Sequence, residues 1–271
     1  MTWVQSTGPS ILLGILQGIT EFLPISSDGH LALAQSILGM KDTGLAFILL
    51  VHAGTLLSIV IVFRRQVSEL VRGLISLPAA LGKPPTTWSE STRLAGLVIL
   101  TTLPGAIAGL LFKDAIEKML SNLVVTGVFF LVSGTILALT KWARTGNDDV
   151  NWKTALWIGL AQAAAILPGL SRSGSTIGMA ILLGVQRARA GEYSFIAAVP
   201  IVLGAVLLEV PDIMRQSTDA GLLPMVLAFL ASFGVGCLAL LWLLRVIRHG
   251  RFHWFAPYCF LIGIVTLLIA R

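Results

Sequence analysis

Long uninterrupted apolar segments constrain this chain of 271 residues more than any other feature. Segments of about 18 to 25 apolar residues have the length that an α-helix needs to cross a hydrocarbon core of roughly 30 Å. Six of them are predicted to cross, at 46–63, 94–112, 122–140, 193–210, 222–244 and 254–270. Only 12% of the residues are charged, against about 25% in soluble domains, which excludes an ordinary soluble protein.

Two further apolar segments, 9–38 and 155–185, are interrupted by proline, glycine, serine and ionisable residues. The interruptions are residues 22–30 (FLPISSDGH) and 167–176 (LPGLSRSGST). Proline removes a backbone donor, and glycine and serine favour turns. Each segment is therefore predicted to form two half-helices joined by a turn.

The positions of Lys and Arg favour segments that fold back over segments that cross. If both fold back, 13 of the 18 Lys and Arg residues outside Arg172 fall on one side and 5 on the other. If both cross, the split is 8 to 10. Because cytoplasmic loops collect Lys and Arg, the first arrangement is favoured, with both termini outside the cytoplasm. This clustering also explains the net charge of +6 without nucleic-acid binding.

A Gly-x-x-Gln motif precedes both interruptions, ending at Gln17 in one half and at Gln162 in the other. Each half then holds one hairpin and three crossings, so the second half must insert upside down relative to the first. The chain is predicted to be an all-α polytopic membrane protein: one membrane domain, 1–271, with six transmembrane helices and two re-entrant helical hairpins. Its inverted repeats are 1–145 and 146–271, and the site is expected where the hairpins meet.

Ionisable and hydroxyl side chains in the first interruption predict a functional site, since charges inside a membrane are costly. Gln17 and Glu21 are four residues apart on a helix and face the same way. Ser26 and Ser27 stand where the next half-helix begins, and Ser27 is predicted to be its N-cap. His30 follows three residues later, so its imidazole is expected to meet the Ser27 hydroxyl or to face the same ligand.

Residues 171–176 (SRSGST) predict an anion site at the start of a helix. Free backbone N–H groups and the Arg172 guanidinium suit phosphate, which arginine binds through two parallel hydrogen bonds. A serine beside a histidine, a carboxylate and an arginine can together transfer a phosphoryl group, here from a lipid. Two structural alternatives stay open. Glu21 caps the turn or pairs with Arg172 only to hold the hairpin together, or the polar turn only caps its own helix, with Arg172 neutralised by Glu21.

Both motifs resemble those of the undecaprenyl pyrophosphate phosphatases, also called the bacitracin-resistance family. One family motif begins with Glu or Gln, continues with three residues and a Glu, and ends in Phe-Leu-Pro-x-Ser-Ser-x-Gly-His. Residues Gln17 to His30 match this motif. The other, Pro-Gly-x-Ser-Arg-Ser-x-x-Thr, is matched from Pro168 to Thr176. The resemblance implies hydrolysis of the terminal phosphate of undecaprenyl pyrophosphate. The product, undecaprenyl phosphate, serves peptidoglycan and envelope synthesis, and the activity confers bacitracin resistance.

The resemblance also implies roles for single residues. Ser27 resembles the nucleophile, His30 an acid/base or orienting group, and Glu21 a catalytic carboxylate or metal ligand. The expected substrate-binding residues are Gln17, Ser26, Ser171, Arg172, Ser173 and Thr176. A divalent cation (Mg or Ca), a bacterial plasma membrane location and a site open to the periplasmic side are also implied, and a homodimer stays open.

Two positions depart from the family pattern. Gln17 is the neutral option, so a metal role rests mainly on Glu21. Asp28 replaces a small or hydroxyl residue, and its charge is expected to weaken anion binding unless it is protonated, turns to water or helps to hold a cation.

Inverted repeats with broken helices also build secondary transporters, so a transporter or flippase of a lipid phosphate or small anion is the alternative function. Two other features are interpreted as carrying no chemistry. His52 is interpreted as a hydrogen-bonded residue without a functional role, and residues 66–91 are interpreted as a connecting loop.

Overall fold

The computed structural model describes residues 7–38, 45–112, 116, 118–119, 122–144, 146, 148–215 and 222–270. Within those residues the secondary structure is helical, apart from an isolated bridge between Asp148 and Val185. The first half contains α1 (Thr7–Phe22), α2 (Ser27–Leu38), α3 (Leu45–Val62), α4 (Arg64–Ala80), α5 (Glu90–Leu111) and α6 (Leu123–Leu139). The second half contains α7 (Trp152–Ala164), α8 (Arg172–Leu182), α9 (Arg187–Arg215), α10 (Leu222–Arg248) and α11 (Ala256–Ile269).

Among the described helices, four are long and apolar enough to cross a membrane: Glu90–Leu111, Arg187–Leu208, Leu222–Arg248 and Phe252–Ile269. A fifth span is present if α3 and α4, which are bent by 92° relative to each other, count as one. The apolar helix α6 is shorter, at 17 residues. The predicted all-α polytopic membrane class is therefore confirmed.

Polar and apolar side chains are distributed as expected for a protein surrounded by lipid. Large apolar residues face outward, for example Leu238 at 70% exposure and Leu261 at 63%. Polar residues such as Gln17 and Ser58 are fully buried instead. In a bilayer, apolar surfaces gain nothing by leaving the hydrocarbon, whereas polar groups need partners inside the protein.

Both interrupted segments form two helices joined by a turn, as predicted. The α1–α2 turn covers residues 23–26, and the α7–α8 turn covers residues 165–171. Ser26 has a φ of 65° and Gly169 a φ of 88°, values of the left-handed region. A Cβ at Gly169 would lie 2.1 Å from the backbone oxygen of Thr126, so glycine is required there by both conformation and space.

The two Gly-x-x-Gln motifs pack their helices in corresponding ways. Helix α1 lies against α10, and α7 lies against α5. A Cβ at Gly14 would come within 2.4 Å of the Ala228 oxygen, and one at Gly159 within 2.7 Å of the Thr101 oxygen. Both glycines therefore allow close backbone contact. Helix α6 contacts α2 as well as α8, which brings the two turns together.

The prediction of a loop at 66–91 is wrong for its first part, because α4 extends from Arg64 to Ala80. Leu70 and Gly73 are buried on the side of α4 that packs on α5. Pro78 lies in the last turn of α4, where the loss of one backbone hydrogen bond still leaves the preceding turns intact. Tertiary packing of one apolar side therefore decides this helix.

Candidate active site

The turns of the two interrupted segments meet at a buried ion pair. Arg172, the first residue of α8, donates from Nη2 to Oε1 of Glu21 in the last turn of α1. The Glu21 side chain is 6% exposed and the Arg172 side chain is 21% exposed. Each charge is therefore compensated by the other in a place where water reaches little. This contact holds the end of α1 against the start of α8.

Oε2 of Glu21 accepts two further hydrogen bonds. Gln17 donates from Nε2 over 3.0 Å, and Ser27 donates from Oγ over 2.7 Å. All three side chains are buried. A hydroxyl group that donates to a carboxylate can pass its proton to that carboxylate while its oxygen attacks an electrophile. The arrangement thus provides a serine with a base and a cation beside it.

Ser26, rather than Ser27, caps α2. The Oγ of Ser26 accepts a hydrogen bond of 3.3 Å from the backbone N–H of Gly29. Ser27 is already the first residue of the helix, so the prediction that Ser27 is the N-cap is wrong. Because Ser26 supplies the capping oxygen, the hydroxyl of Ser27 is available to Glu21.

His30 bonds away from Ser27. Its Nδ1 donates to the backbone oxygen of Ser26 over 2.7 Å, since a carbonyl only accepts, and its Nε2 accepts from the Tyr258 hydroxyl over 2.7 Å. The ring also stacks on Tyr258 and meets Phe130 edge to face. Both ring nitrogens are therefore engaged, and the expected contact of the imidazole with the Ser27 hydroxyl is replaced by a contact with α11.

The second turn is fixed mainly by hydrogen bonds among its own groups and from α6. Ser133 of α6 donates from Oγ to the Gly169 oxygen and accepts from the Ser171 N–H. Ser171 caps α8 by accepting from the Gly174 N–H over 3.0 Å. These bonds hold the start of α8, with Arg172, toward Glu21.

Two of the predicted binding residues use their hydroxyl groups elsewhere. Thr176 donates from Oγ1 to the backbone oxygen of Arg172 in its own helix. Ser173 donates from Oγ to the Leu23 oxygen in the opposite turn, so it joins the two hairpins. These contacts agree with the alternative of a polar turn that caps its own helix while Glu21 neutralises Arg172, and binding of an anion by 171–176 stays a prediction.

A cavity of about 490 Å³ opens beside the ion pair. Its polar wall contains Glu21, Ser26, Ser27, Asp28, His52, Gln162, Ser171 and Arg172. Its apolar wall includes Ile201, Val202, Ala205 and Val206 of α9. Five of the predicted site residues therefore line the cavity: Glu21, Ser26, Ser27, Ser171 and Arg172. Gln17 donates a hydrogen bond to Glu21, and His30, Ser173 and Thr176 bond to residues outside the cavity lining or to the backbone. Such a mixed lining suits a polar headgroup on an apolar chain.

Three residues near the site were not assigned a role from the sequence. Ser133 sits in an apolar segment without any local signal, and Tyr258 is one of two tyrosines. His52 carried a signal that could have identified it, because an ionisable side chain within a transmembrane helix is a functional candidate by default. It lines the cavity, with Nε2 lying 3.8 Å from Oε2 of Glu21.

Comparison with known proteins identifies the family. A family model described as Bacitracin resistance protein BacA matches residues 10–265. The chain belongs to this family. A BacA relative from Desulforapulum autotrophicum is 38% identical over 95% of this chain and 96% of its own length. One from Desulfosudis oleivorans is 41% identical over 96% and 97%, and one from Korarchaeum cryptofilum is 38% identical over 95% and 97%. All three relatives are named undecaprenyl-diphosphatase.

The divalent cation implied by the resemblance to the BacA family does not fit the donors around Glu21. Oε1 accepts from Arg172, and Oε2 accepts from Gln17 and Ser27, so both oxygens already have hydrogen-bond donors. Within the described residues, no three His, Cys, Asp or Glu side chains are grouped to hold an ion. Mg²⁺ is commonly held by one or two carboxylates together with substrate phosphates and water, and neither oxygen of Glu21 is free of protein donors to serve as such a ligand. The cation stays a prediction, and no step of the reaction proposed below passes through it.

Proposed function

We propose that the protein hydrolyses the terminal phosphate of undecaprenyl diphosphate, releasing inorganic phosphate and undecaprenyl phosphate for cell-envelope synthesis. The contact of the Ser27 hydroxyl with Glu21, which also pairs with Arg172, carries the proposal. Membership in the BacA family and the names of the relatives support the same reaction. Bacitracin resistance follows from competition for the lipid diphosphate that the antibiotic binds.

In the proposed reaction, Ser27 is the nucleophile. Its Oγ forms a bond to the terminal phosphorus while the bond from that phosphorus to the bridging oxygen breaks. The electron pair of the broken bond stays with the lipid phosphate, and the Ser27 proton passes to Glu21, 2.7 Å away. Water then attacks phosphorus while the bond from phosphorus to Ser27 Oγ breaks. Glu21 returns its proton to Oγ and a proton of the attacking water passes to Glu21 or to the released phosphate, so that the hydroxyl is regenerated. Arg172 stabilises the charge on the equatorial phosphate oxygens with donors that Glu21 does not use.

His30 has an orienting role in this proposal. Its Nδ1 holds the carbonyl of Ser26, the residue immediately before the nucleophile. Tyr258 fixes the other side of the ring. The imidazole therefore keeps the start of α2 in place, so that Ser27 faces Glu21 and the cavity.

For the membrane arrangement, we propose six crossings, two re-entrant hairpins and inverted repeats 1–145 and 146–271. Corresponding helix contacts in the two halves support the repeats. Helix α1 packs on α10, and its counterpart α7 packs on α5. Helix α3 contacts α10, and its counterpart α9 contacts α5. Membership in the BacA family supports a bacterial plasma membrane protein whose site is open to the periplasmic side, and the distribution of Lys and Arg supports termini outside the cytoplasm. The apolar α9 wall of the cavity supports binding of the prenyl chain.

The proposed function is tested by phosphate release from a polyprenyl diphosphate by purified protein in detergent. We expect Ser27→Ala and Arg172→Ala to lower kcat by at least about 10³-fold, because nucleophile and charge stabilisation are both lost. Arg172→Lys keeps the charge near Glu21 but loses bidentate binding, so it should also be strongly impaired. Wild-type rates in a folded variant would contradict the role of that residue.

Matched controls are the exposed Ser68→Ala on α4 and the exposed Arg189→Ala, both expected to keep wild-type rates. A chelator is added in a parallel assay, and an unchanged rate would overturn the prediction of a required cation. In sealed vesicles, movement of the lipid without phosphate release would instead support the transporter alternative and contradict the phosphatase.

A further inference from the structure

Four ionisable side chains are found among the described residues that line the cavity: Glu21, Asp28, His52 and Arg172. Glu21 and Arg172 compensate each other through their direct ion pair. Asp28 and His52 remain. The catalytic roles proposed above use neither of them, and a diphosphate headgroup entering the cavity would meet both.

The Asp28 carboxylate is the second negative charge of the cavity, and no arginine or lysine of the described part of the chain pairs with it directly. It lies in the first turn of α2, where the positive end of the helix favours a carboxylate. Its side chain is 55% exposed. The helix dipole contributes only a fraction of a unit charge, so Asp28 alone would still repel the phosphates of the substrate.

His52 of α3 faces this carboxylate with a fixed ring. Its Nδ1 donates to the backbone oxygen of Ile48 over 2.8 Å, because a carbonyl oxygen can only accept. That bond leaves Nε2 directed at the cavity, 3.8 Å from Oδ1 of Asp28 and 3.8 Å from Oε2 of Glu21. The His52 side chain is 19% exposed, so water screens this interaction less than it screens a surface pair.

The contact between His52 and Asp28 affects the net charge of the side chains that line the cavity. Glu21, Asp28 and Arg172 sum to one negative charge, and His52 is the remaining ionisable side chain among the described residues of the cavity lining, and the one that faces Asp28. The α9 residues that line the opposite wall, Ile201, Val202, Ala205 and Val206, add no charge. An apolar wall strengthens the effect of each nearby charge on an anionic ligand.

We propose that His52 is a specificity-determining residue that pairs with Asp28 and offsets its charge, so that the cavity can accept a diphosphate headgroup. This inference rests on the proposed function for the identity of the substrate. His52 acts through Asp28 and is a positioning residue rather than a catalytic one. Its loss should weaken substrate binding much more than it slows the chemical step.

The proposal is tested with a double-mutant cycle of His52→Gln, Asp28→Asn and the double variant, measured against wild type. Glutamine keeps a polar side chain of similar reach but has no group that can carry a positive charge. We expect His52→Gln to raise KM for a polyprenyl diphosphate about tenfold with kcat within about twofold, as couplings between close charges are of this size or larger. In the Asp28→Asn background the same substitution should raise KM by a clearly smaller factor, because the remaining carboxylate beside His52, Glu21, is already paired with Arg172.

A purely structural role for His52 predicts a different pattern. It would change KM and kcat by the same factors in both backgrounds, and that additivity would overturn the proposal. So would an unchanged KM in His52→Gln alone. His249→Gln is the matched control, since His249 also donates from Nδ1 to a carbonyl four residues earlier but is exposed. We expect it to keep the wild-type KM.

A second measurement separates this proposal from the proposed function. The four proteins of the cycle are titrated with inorganic pyrophosphate by calorimetry, which does not require turnover. Coupling between positions 52 and 28 in pyrophosphate affinity, together with a wild-type protein that releases no phosphate, would contradict the proposed function alone. Phosphate release by wild type without any coupling in KM or pyrophosphate affinity would contradict the His52 proposal alone.

Discussion

Replacement of Arg172 by alanine should destabilise the protein much more than replacement of a surface arginine. Arg172→Ala leaves the Glu21 carboxylate, 6% exposed, without its cation. Loss of one partner from a buried ion pair costs about 3–5 kcal/mol. Glu21 keeps its hydrogen bonds from Gln17 and Ser27, so we expect about 3 kcal/mol in the free energy of unfolding.

The natural comparison is Arg189, which pairs with Asp149 where the two side chains are 56% and 74% exposed. Exposed pairs contribute about 0–1 kcal/mol, so Arg189→Ala should be nearly neutral. Both variants are measured by SDS unfolding titrations in detergent micelles. Adding Glu21→Gln to Arg172→Ala removes the uncompensated charge and should recover most of the lost stability.

Two results would refute this reasoning. Equal losses of stability in Arg172→Ala and Arg189→Ala would mean that water reaches the Glu21 contact as freely as a surface pair. No recovery on adding Glu21→Gln would mean that the loss comes from packing of the Arg172 side chain and not from the stranded carboxylate.

Two further predictions concern the scaffold of the site. Gly159→Ala should lower the free energy of unfolding by about 1–3 kcal/mol, because its Cβ would approach the Thr101 oxygen to 2.7 Å. The control Gly204→Ala, with no atom within 4 Å of its Cβ, should leave that free energy unchanged. Equal effects in unfolding titrations would contradict the close packing of α7 on α5. Ser133→Ala removes a hydrogen bond from the Gly169 oxygen and another from the Ser171 N–H. We expect it to lower the free energy of unfolding by about 1–3 kcal/mol and to raise KM in the phosphate-release assay. The control Thr135→Val, on the exposed face of α6, should change neither quantity.

Local sequence was sufficient for the apolar helices, the interruptions and one contact of the site, but not for α4. Pro24 and Pro168 mark turns because each stands in a cluster of serine and glycine residues, whereas Pro78 and Pro104 lie inside α4 and α5. Gln17 and Glu21 meet because residues four apart on a helix always share a side. These features depend on neighbours within one helical turn, which the order of residues specifies directly.

Tertiary structure decided which partner each polar side chain takes. His30 was expected to contact Ser27 but bonds to Tyr258, 228 residues away, and His52 reaches Glu21 and Asp28 from a different helix. Such contacts depend on how the helices are rotated and offset against one another, which packing over the whole bundle determines. The sequence alone therefore determined the apolar helices, their interruptions and the residues available for chemistry, whereas only the folded bundle determined α4 and which of those residues meet in the cavity.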